Sequence, residues 1–529
     1  MIRVSFHKFK AHAAYPDTPP FDPPQRFPEL EHLPGPPVPT DSGNQVYAAV
    51  RSVLCSLQLD LRHQGTDAWN PFRSLAKEGQ TVLIKPNLVT HRYPQGADGI
   101  FQTISHPSII RALIDYALIA VGPDGRVIVG DTPIENCDFG VLCQVSGLQG
   151  MMDQLRRRGH ANLELLDFRT FQTIQYPDSK VVKIDLPGDP RGYTDVDLGT
   201  YSLFQELEDR CGEQNYYTLG DHTVDHFDPK TRKPGLPNNY HTSGRHVYRI
   251  PNTVLQSDCV VSLAKLKTHK FSGITMCLKN AIGICQGKEY LPHRRPGTPE
   301  EGGDSFASYP TIRYVGMLRL KRAVYSAIGS RNSIRFVNFV RRFIKRKQAH
   351  DAYSEPLFGD WHGNDTIWRA TLDLNLVLRL ADRSGFHPQG AKRSYLGFID
   401  GIIGMDHEAP MDGLPVRGDL LLAGLDPIAV DTLGTYFMGF DPRKITTISR
   451  AVLAPSDVLG GLSLEVGQVR GNTDLAAAKC TFVPTKGWRE YLLQNSPDYF
   501  TAPLGHGETR SDDFTARAET TISGRMREG

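Results

Sequence analysis

Between residues 81 and 168 short apolar runs alternate with amphipathic stretches, and few folds accept that pattern. TVLIKPN (81–87) is an apolar run ended by Pro86 and reads as a buried strand. HPSIIRALIDYALIAVG (106–122) follows as a helix: Ile109, Ile110, Leu113, Ile114 and Leu118 share one face, and Pro107 suits the first turn. RVIVGD (126–131) is a second buried strand, closed by Gly130 and Asp131. A helix near 148–159 leads to LELLDF (163–168). Strand, helix, strand, helix, strand predicts an α/β fold, a mostly parallel Rossmann-like sheet with helices on both faces.

The chain has 529 residues, long for one domain. Residues 1–45 hold Pro16, Pro19, Pro20, Pro23, Pro24 and Pro28, which predict an extended arm outside the core. Residues 46–310 read as the first part of the α/β core, broken by an irregular, loop-rich insertion at 186–250. TVLQSDCVVSLAKLK (253–267) restores the strand pattern, and a helix is expected from about 273 to 284. The polar loop 286–310 is long enough to be functional or disordered. Residues 311–392 read as a helical insertion, basic over 311–350. Within it DTIWRATLDLNLVLRLADR (365–383) carries an apolar stripe through Leu372, Leu376 and Leu380. Residues 393–500 complete the core. YLGFIDGIIGMD (395–406) is expected as a strand running into a glycine turn, and 419–440 as strand, turn and helix with Asp426 as cap and Pro427 in the first turn. Residues 501–529 are polar and predict a disordered tail.

A formal net charge of +2 gives no overall steering toward nucleic acid, and no DNA- or RNA-binding motif is present. There is no GxGxxG after the first strand, no phosphate-binding lysine loop of the Walker type and no GxSxG elbow. The eight cysteines form no CxxC pair, which argues against a disulfide scaffold, a cysteine zinc site and an iron–sulfur cluster. No apolar run reaches membrane-spanning length and the N-terminus lacks the apolar stretch of a signal peptide, so the expected location is cytoplasmic.

The chemistry concentrates in LAKLKTHKFSGITMCLKNAIGIC (263–285), where a strand runs out. Strand ends are where an open α/β sheet places its ligand. On a strand Lys265, Lys267 and His269 face one side. Crowded lysines depress one another's pKa and can leave one neutral as a base, and His269 can serve as acid, base or metal ligand. Lys279 and Asn280 follow, with Gly273 and Gly283 permitting close backbone approach. Lys85 and Asn87 end the first strand and can meet the same anion. Asp131, followed by Thr132, can bind a metal or a ribose hydroxyl, or cap a helix. Asp400, with Asp406, His407 and Glu408, can build an oxygen-rich metal site or a solvated glycine turn. Asp426 and Asp431 read as a cap and a core hydrogen-bonder. His222, His226, His241 and His246, among Asp221, Asp225 and Asp228, sit in loop-like sequence that does not suit a helical zinc site; His362 in GDWHGND is a minor candidate. The basic run 319–347, interleaved with apolar residues, suits either a docked surface helix or contact with an anionic membrane or polymer.

Several of these segments together resemble the domain of unknown function 362 family. They are VLIKPNLV (82–89), TISHP (103–107), VIVGDTP (127–133), LAKLKTHKFSGITMCLKNAIGI (263–284), FIDGIIGMDHEAPMDGLP (398–415) and AGLDPIAVD (423–431). They span roughly residues 80–440 in the family's order. The resemblance implies an α/β architecture and no established activity. Some relatives carry a ferredoxin-like cluster domain, whose cysteines this chain lacks.

The expectation is an enzyme acting on a small anionic metabolite or glycan precursor. Lys267, His269, Lys279 and Asp400 are its catalytic candidates, and Lys85, Asn87, Asn280 and Lys265 its ligand-binding ones. Asp131 or Asp400 would hold a divalent metal if one is needed. The alternative is a non-catalytic ligand- or cofactor-binding protein that docks on a membrane-associated assembly through the basic region. The cysteine spacing counts against a redox or carrier role.

Overall fold

Apolar runs with no polar face must be covered on both sides, and that demand shapes the core. The computed structural model describes all residues except 1, 40–42, 94–98, 176–180, 213–216, 219–239, 243, 296, 306–358, 454–463 and 501–529. The basic run 319–347, His222, His226 and most of the expected helical insertion therefore lie outside the described residues. Met1–Gln494 forms one compact unit, which holds the sheet and its helices, and Asn495–Gly529 forms another.

The main sheet contains β1 (Val4–Lys8), β2 (Thr81–Pro86), β3 (Arg126–Asp131), β4 (Leu163–Asp167), β5 (Cys259–His269), β6 (Gly273–Thr275), β7 (Ser394–Glu408), β8 (Asp412–Gly424) and β9 (Val469–Gly471). Their order is β9-β1-β8-β7-β5-β2-β3-β4, with β6 paired to β5. The five strands β7-β5-β2-β3-β4 run parallel. Strand β8 is antiparallel to both β7 and β1. The fold is α/β, with a mixed, mostly parallel sheet. Helices α1 (Gln45–Ser56), α2 (Pro107–Val121) and α3 (Leu148–Arg157) contribute to one apolar cluster with Val82, Ile84, Val127, Val129, Val261 and Leu263. Three more helices, α4 (Cys277–Asn280), α5 (Ile367–Leu380) and α6 (Pro427–Phe437), pack together, and α6 lies against β7 and β8. The insertion at 186–250 contributes a small separate sheet, in which Tyr193–Asp197 pairs with Arg245–Pro251.

Three expectations need correction. The proline-rich N-terminus is extended, yet it belongs to the core: β1 pairs with β8 and β9, and Tyr15, Phe21, Phe27 and Leu30 are buried in the main cluster. The prolines set the backbone, while the apolar residues between them decide where it lies. The helix expected over 273–284 begins as strand. Gly273 has φ +78° and sits opposite His269, so a tight hairpin precedes the short α4 and a 3₁₀ turn at Ala281–Ile284. The glycine turn expected near 401–404 is part of β7, which continues to Glu408. A Cβ on Gly404 would stand 2.6 Å from the Leu266 carbonyl oxygen, so glycine here serves close strand approach across a bulge.

Asp426 caps α6 as its sequence predicts, accepting from the Ile428 and Ala429 N–H groups while pairing with Arg3 of the N-terminal segment. Asp426→Ala removes the cap and the tie to β1 together. A loss of about 1–2 kcal/mol in urea unfolding is expected, and an unchanged midpoint would contradict the assignment.

Candidate functional site

The strand order reverses at β2: β3 and β4 extend to one side, and β5 and β7 to the other. In an open α/β sheet the crevice at such a reversal, outside the C-terminal strand ends, is the ligand position. Lys85 ends β2, Asp131 ends β3, Lys267 and His269 end β5, and α4 follows from the β5–β6 hairpin. Topology therefore converges residues that the sequence separates by almost 200 positions.

Lys85 and Asp131 form a buried ion pair of 2.8 Å between neighbouring strands. Lys85 Nζ also donates to Asn280 Oδ1 at 2.8 Å and the Pro86 carbonyl at 2.9 Å. Asn280 Nδ2 donates back to the Lys85 carbonyl and to Ser262 Oγ. Asp131 accepts the backbone N–H groups of Leu88 and Thr132. Burial lowers the pKa of Lys85, and Asp131 partly restores it. Gly283 is required beside the pair: a Cβ there would stand 2.4 Å from both Lys85 Nζ and Asp131 Oδ1.

Lys267 is buried and donates to Asn87 Oδ1 at 3.0 Å and the Thr103 carbonyl at 2.8 Å. Burial, then Lys265, Lys279 and Lys85, depress its pKa to about 7. Lys279 also falls to about 7, through burial and then Lys288 and Lys85. Its side chain is half-buried and its ammonium has no hydrogen-bond partner among the described residues. Lys288, 7% exposed, likewise lacks one, and burial lowers its pKa. His269 Nδ1 accepts the Phe271 and Ser272 N–H groups, which puts the ring proton on Nε2. Burial, then Lys279, His293, Lys270 and Lys267, hold its pKa well below the usual range, so the ring is neutral. The buried hydroxyls of Thr132 and Thr275 have no partner among the described residues. Thr132 adjoins Asp131, and Thr275 pairs with Lys267 across the hairpin.

Lys265 and Asp400 lie nearby but are closed on each other. Lys265 Nζ reaches Asp400 Oδ2 at 2.8 Å and Tyr15 Oη at 2.9 Å, and Tyr15 donates to Asp400 Oδ1 at 2.5 Å. The His106 N–H completes the carboxylate's shell at 3.0 Å. Both charged residues are fully buried. Lys265, expected to bind ligand, and Asp400, expected to be catalytic, are engaged with each other in this buried network. Metal binding does not fit either. Asp131 and Asp400 are each held by a lysine, and no group of three or more His, Cys, Asp or Glu among the described residues is arranged to hold an ion.

The remaining candidates serve elsewhere. Asp431 accepts the Cys277 and Leu278 N–H groups and so caps α4, with a pKa raised by burial to about 7. Asp406 binds His407 and the Val483 N–H, and Glu408 the Lys486 N–H. His362 stacks on Tyr491 at 4.4 Å, and His241 bonds the Tyr290 carbonyl. Sequence reasoning missed Lys288, His293 and Tyr15. Lys288 sits in a polar loop with no periodic signal, and Tyr15 is 385 residues from its partner Asp400. A cavity of about 600 Å³, lined in part by Arg73, Asp258, Arg379 and Arg393, lies at the N-terminal ends of the parallel strands. The ligand rule for open sheets favours the opposite end, where the lysines are.

Residues 211–436 match the model of a family described as a domain of unknown function, DUF362. The family resemblance stands. The DUF362 match includes Lys265, Lys267, His269, Lys279, Asn280 and Asp400, while Lys85, Asn87 and Asp131 precede it. No curated protein matches the chain. A crystal structure of a protein from Thermotoga maritima is similar at 10% identity, over 70% of this chain and 53% of that one, with a TM-score of 0.28. The chain spans about half the length of that protein, and similarity at this level carries no argument. Among the described residues no helix is long and apolar enough to cross a membrane.

Two substitutions separate structural from ligand-facing lysines. Lys265→Met strands the Asp400 carboxylate in the core and is expected to cost about 3–5 kcal/mol in urea unfolding. Lys279→Met removes an unpartnered ammonium and is expected to change stability by no more than about 1 kcal/mol. Equal losses would show that the two lysines were wrongly distinguished. Gly283→Ala forces the Lys85–Asp131 pair apart and is expected to destabilise by about 1–3 kcal/mol in the same measurement.

Proposed function

We propose that this protein is an enzyme acting on a small anionic metabolite or glycan precursor, held at the β2/β5 strand ends. The observation that carries the reading is the pairing state of the lysines. Lys85 and Lys265 have carboxylate partners, whereas Lys279 and Lys288 have no hydrogen-bonded acceptor among the described residues. A phosphate or carboxylate supplies that acceptor. The neutral His269 offers its Nε2 proton, and the Thr132 and Thr275 hydroxyls add further donors.

Lys267 is the group suited to move a proton. A neutral amine has two N–H donors and one lone pair. Lys267 makes two hydrogen bonds, to Asn87 and Thr103, which leaves the lone pair for a substrate proton. A base with a pKa near the working pH is the efficient one. Negative charge that develops as the proton leaves would be stabilised by Lys279 and Lys288. We place this chemistry in the cytoplasm, a setting in which the eight free cysteines stay reduced.

The test is titration calorimetry with inorganic phosphate and pyrophosphate, in two buffers of different ionisation enthalpy. In the protein alone, burial and neighbouring lysines push Lys267 and Lys279 down to about 7. A bound anion favours their charged forms and raises those pKa values. The complex therefore holds more protons above pH 7. Binding is expected to take up protons at pH 8, with affinity flat below pH 7 and falling as pH rises beyond it. The double substitution Lys279→Met/Lys288→Met is expected to weaken binding by about 10- to 100-fold. Affinity that ignores both pH and the substitutions would sink the reading.

A further inference from the structure

An anion clamp needs cations, but it does not need an amine held near neutrality beside them. Lys279 combines three features that Lys85, Lys265 and Lys267 do not share. Its side chain is half-buried rather than sealed, its nitrogen has no protein acceptor among the described residues, and its closest electrostatic neighbours are the cations Lys288 and Lys85. Lys267 and His269 are near enough to feel its charge. A lysine crowded by cations in a desolvated site keeps a large neutral fraction, and a neutral, accessible amine is a nucleophile toward carbonyl carbon.

We propose that Lys279 forms an imine with a small carbonyl compound that carries a carboxylate or phosphate, the anionic end resting on Lys288. This rests on the anion-binding reading above. The Nζ lone pair forms an N–C bond to the carbonyl carbon as the carbonyl π pair moves to oxygen. The C–O bond then breaks, and the oxygen leaves as water with both amine hydrogens. Protonation of the imine nitrogen from solvent gives an iminium. The iminium carries the same positive charge as an ammonium, so the anion is neutralised again once the imine nitrogen is protonated. Its electron-withdrawing C=N⁺ acidifies the adjacent C–H, and Lys267, whose charge couples to that of Lys279, is the neighbouring amine suited to take that proton. The Nε2 proton of His269 is a donor for the carbonyl oxygen before it leaves.

The experiment incubates the full chain with glyoxylate or pyruvate and sodium cyanoborohydride, which traps an imine as a secondary amine. Intact mass and peptide mapping then locate the adduct. The expected result is one adduct on Lys279 that saturates with glyoxylate, is blocked by inorganic phosphate, and forms at least tenfold more slowly with propionaldehyde, which lacks the anion. Lys279→Arg keeps the charge and removes the nucleophile. It is expected to abolish the adduct, with an unchanged urea-unfolding midpoint showing that the fold is kept. Phosphate binding with no adduct, or with adducts on Lys267, Lys288 or scattered surface lysines, overturns the imine and leaves the anion site standing. Absence of both phosphate binding and trapping overturns the two readings together.

Discussion

The buried pair of Lys85 and Asp131 is the constraint on which the crevice depends. It joins the ends of two neighbouring parallel strands, and its remaining hydrogen bonds reach outward. Asp131 holds the Leu88 and Thr132 N–H groups, and Lys85 holds Asn280 of α4. Two side chains thus fix the loop after β2, the loop after β3 and the helix after the β5–β6 hairpin. A buried ion pair is poor evidence of net stability, because desolvation offsets the attraction. What it supplies here is position. Gly283 makes this possible, because only a residue without a Cβ lets the 3₁₀ turn approach the pair so closely.

Charge accounting follows from that geometry. Lys85, Lys265, Lys267, Lys279 and Lys288 gather at this end of the sheet, and Asp131 and Asp400 each answer one of them. Asp431, the other buried acid here, is turned to backbone N–H groups at the start of α4. The excess falls chiefly on Lys267 and Lys279, since Asp131 and Glu135 act on Lys288 as well as its neighbouring cations. Two relaxations are open to such a cluster: loss of protons or capture of an anion. The depressed pKa values of Lys267 and Lys279 are the first, and ligand binding is the second. In the proposed site, proton release and anion capture would be opposite directions of one equilibrium, so that one cluster could both hold a charged substrate and supply a base.

Much of this was legible in the chain. The runs at 82–85 and 127–130 announced buried parallel strands, because strands covered on both faces need no alternation. Lys85, Asn87, Asp131, Lys267 and His269 could be named because polar residues that interrupt such runs mark strand ends, whereas Lys279 and Asn280, on the short helix after the hairpin, stood out only by their place in the 263–285 stretch. Asp426 and Pro427 announced a helix start. Partner choice was less legible. Period-two alternation puts Lys265 and Lys267 on one face, but the pairing of β5 with β7 shifts register between them. One lysine meets Asp400 and Tyr15, and the other Asn87 and Thr103. A bulge leaves little trace in a single sequence. Lys288 was hidden for another reason: it lies in a loop whose path is set by tertiary contacts alone.

The burial of the N-terminal segment changes how the site is understood. Tyr15 bonds Asp400 and Lys265, and its ring stacks on His106 at 4.1 Å, nearly parallel. The N–H of His106 bonds Asp400, and the neighbouring Ser105 Oγ accepts the Asn87 N–H. Asn87 in turn receives Lys267. Contiguous hydrogen bonds and backbone thus run from the arm to the proposed base. A proton acceptor works only when its lone pair points at one place, and a flexible four-carbon side chain does not ensure that by itself. Two fixed acceptors do, provided Asn87 and the Thr103 carbonyl are themselves held. The arm supports the wall of the site, so a segment that reads as peripheral contributes to the aim of a nitrogen more than 250 residues away.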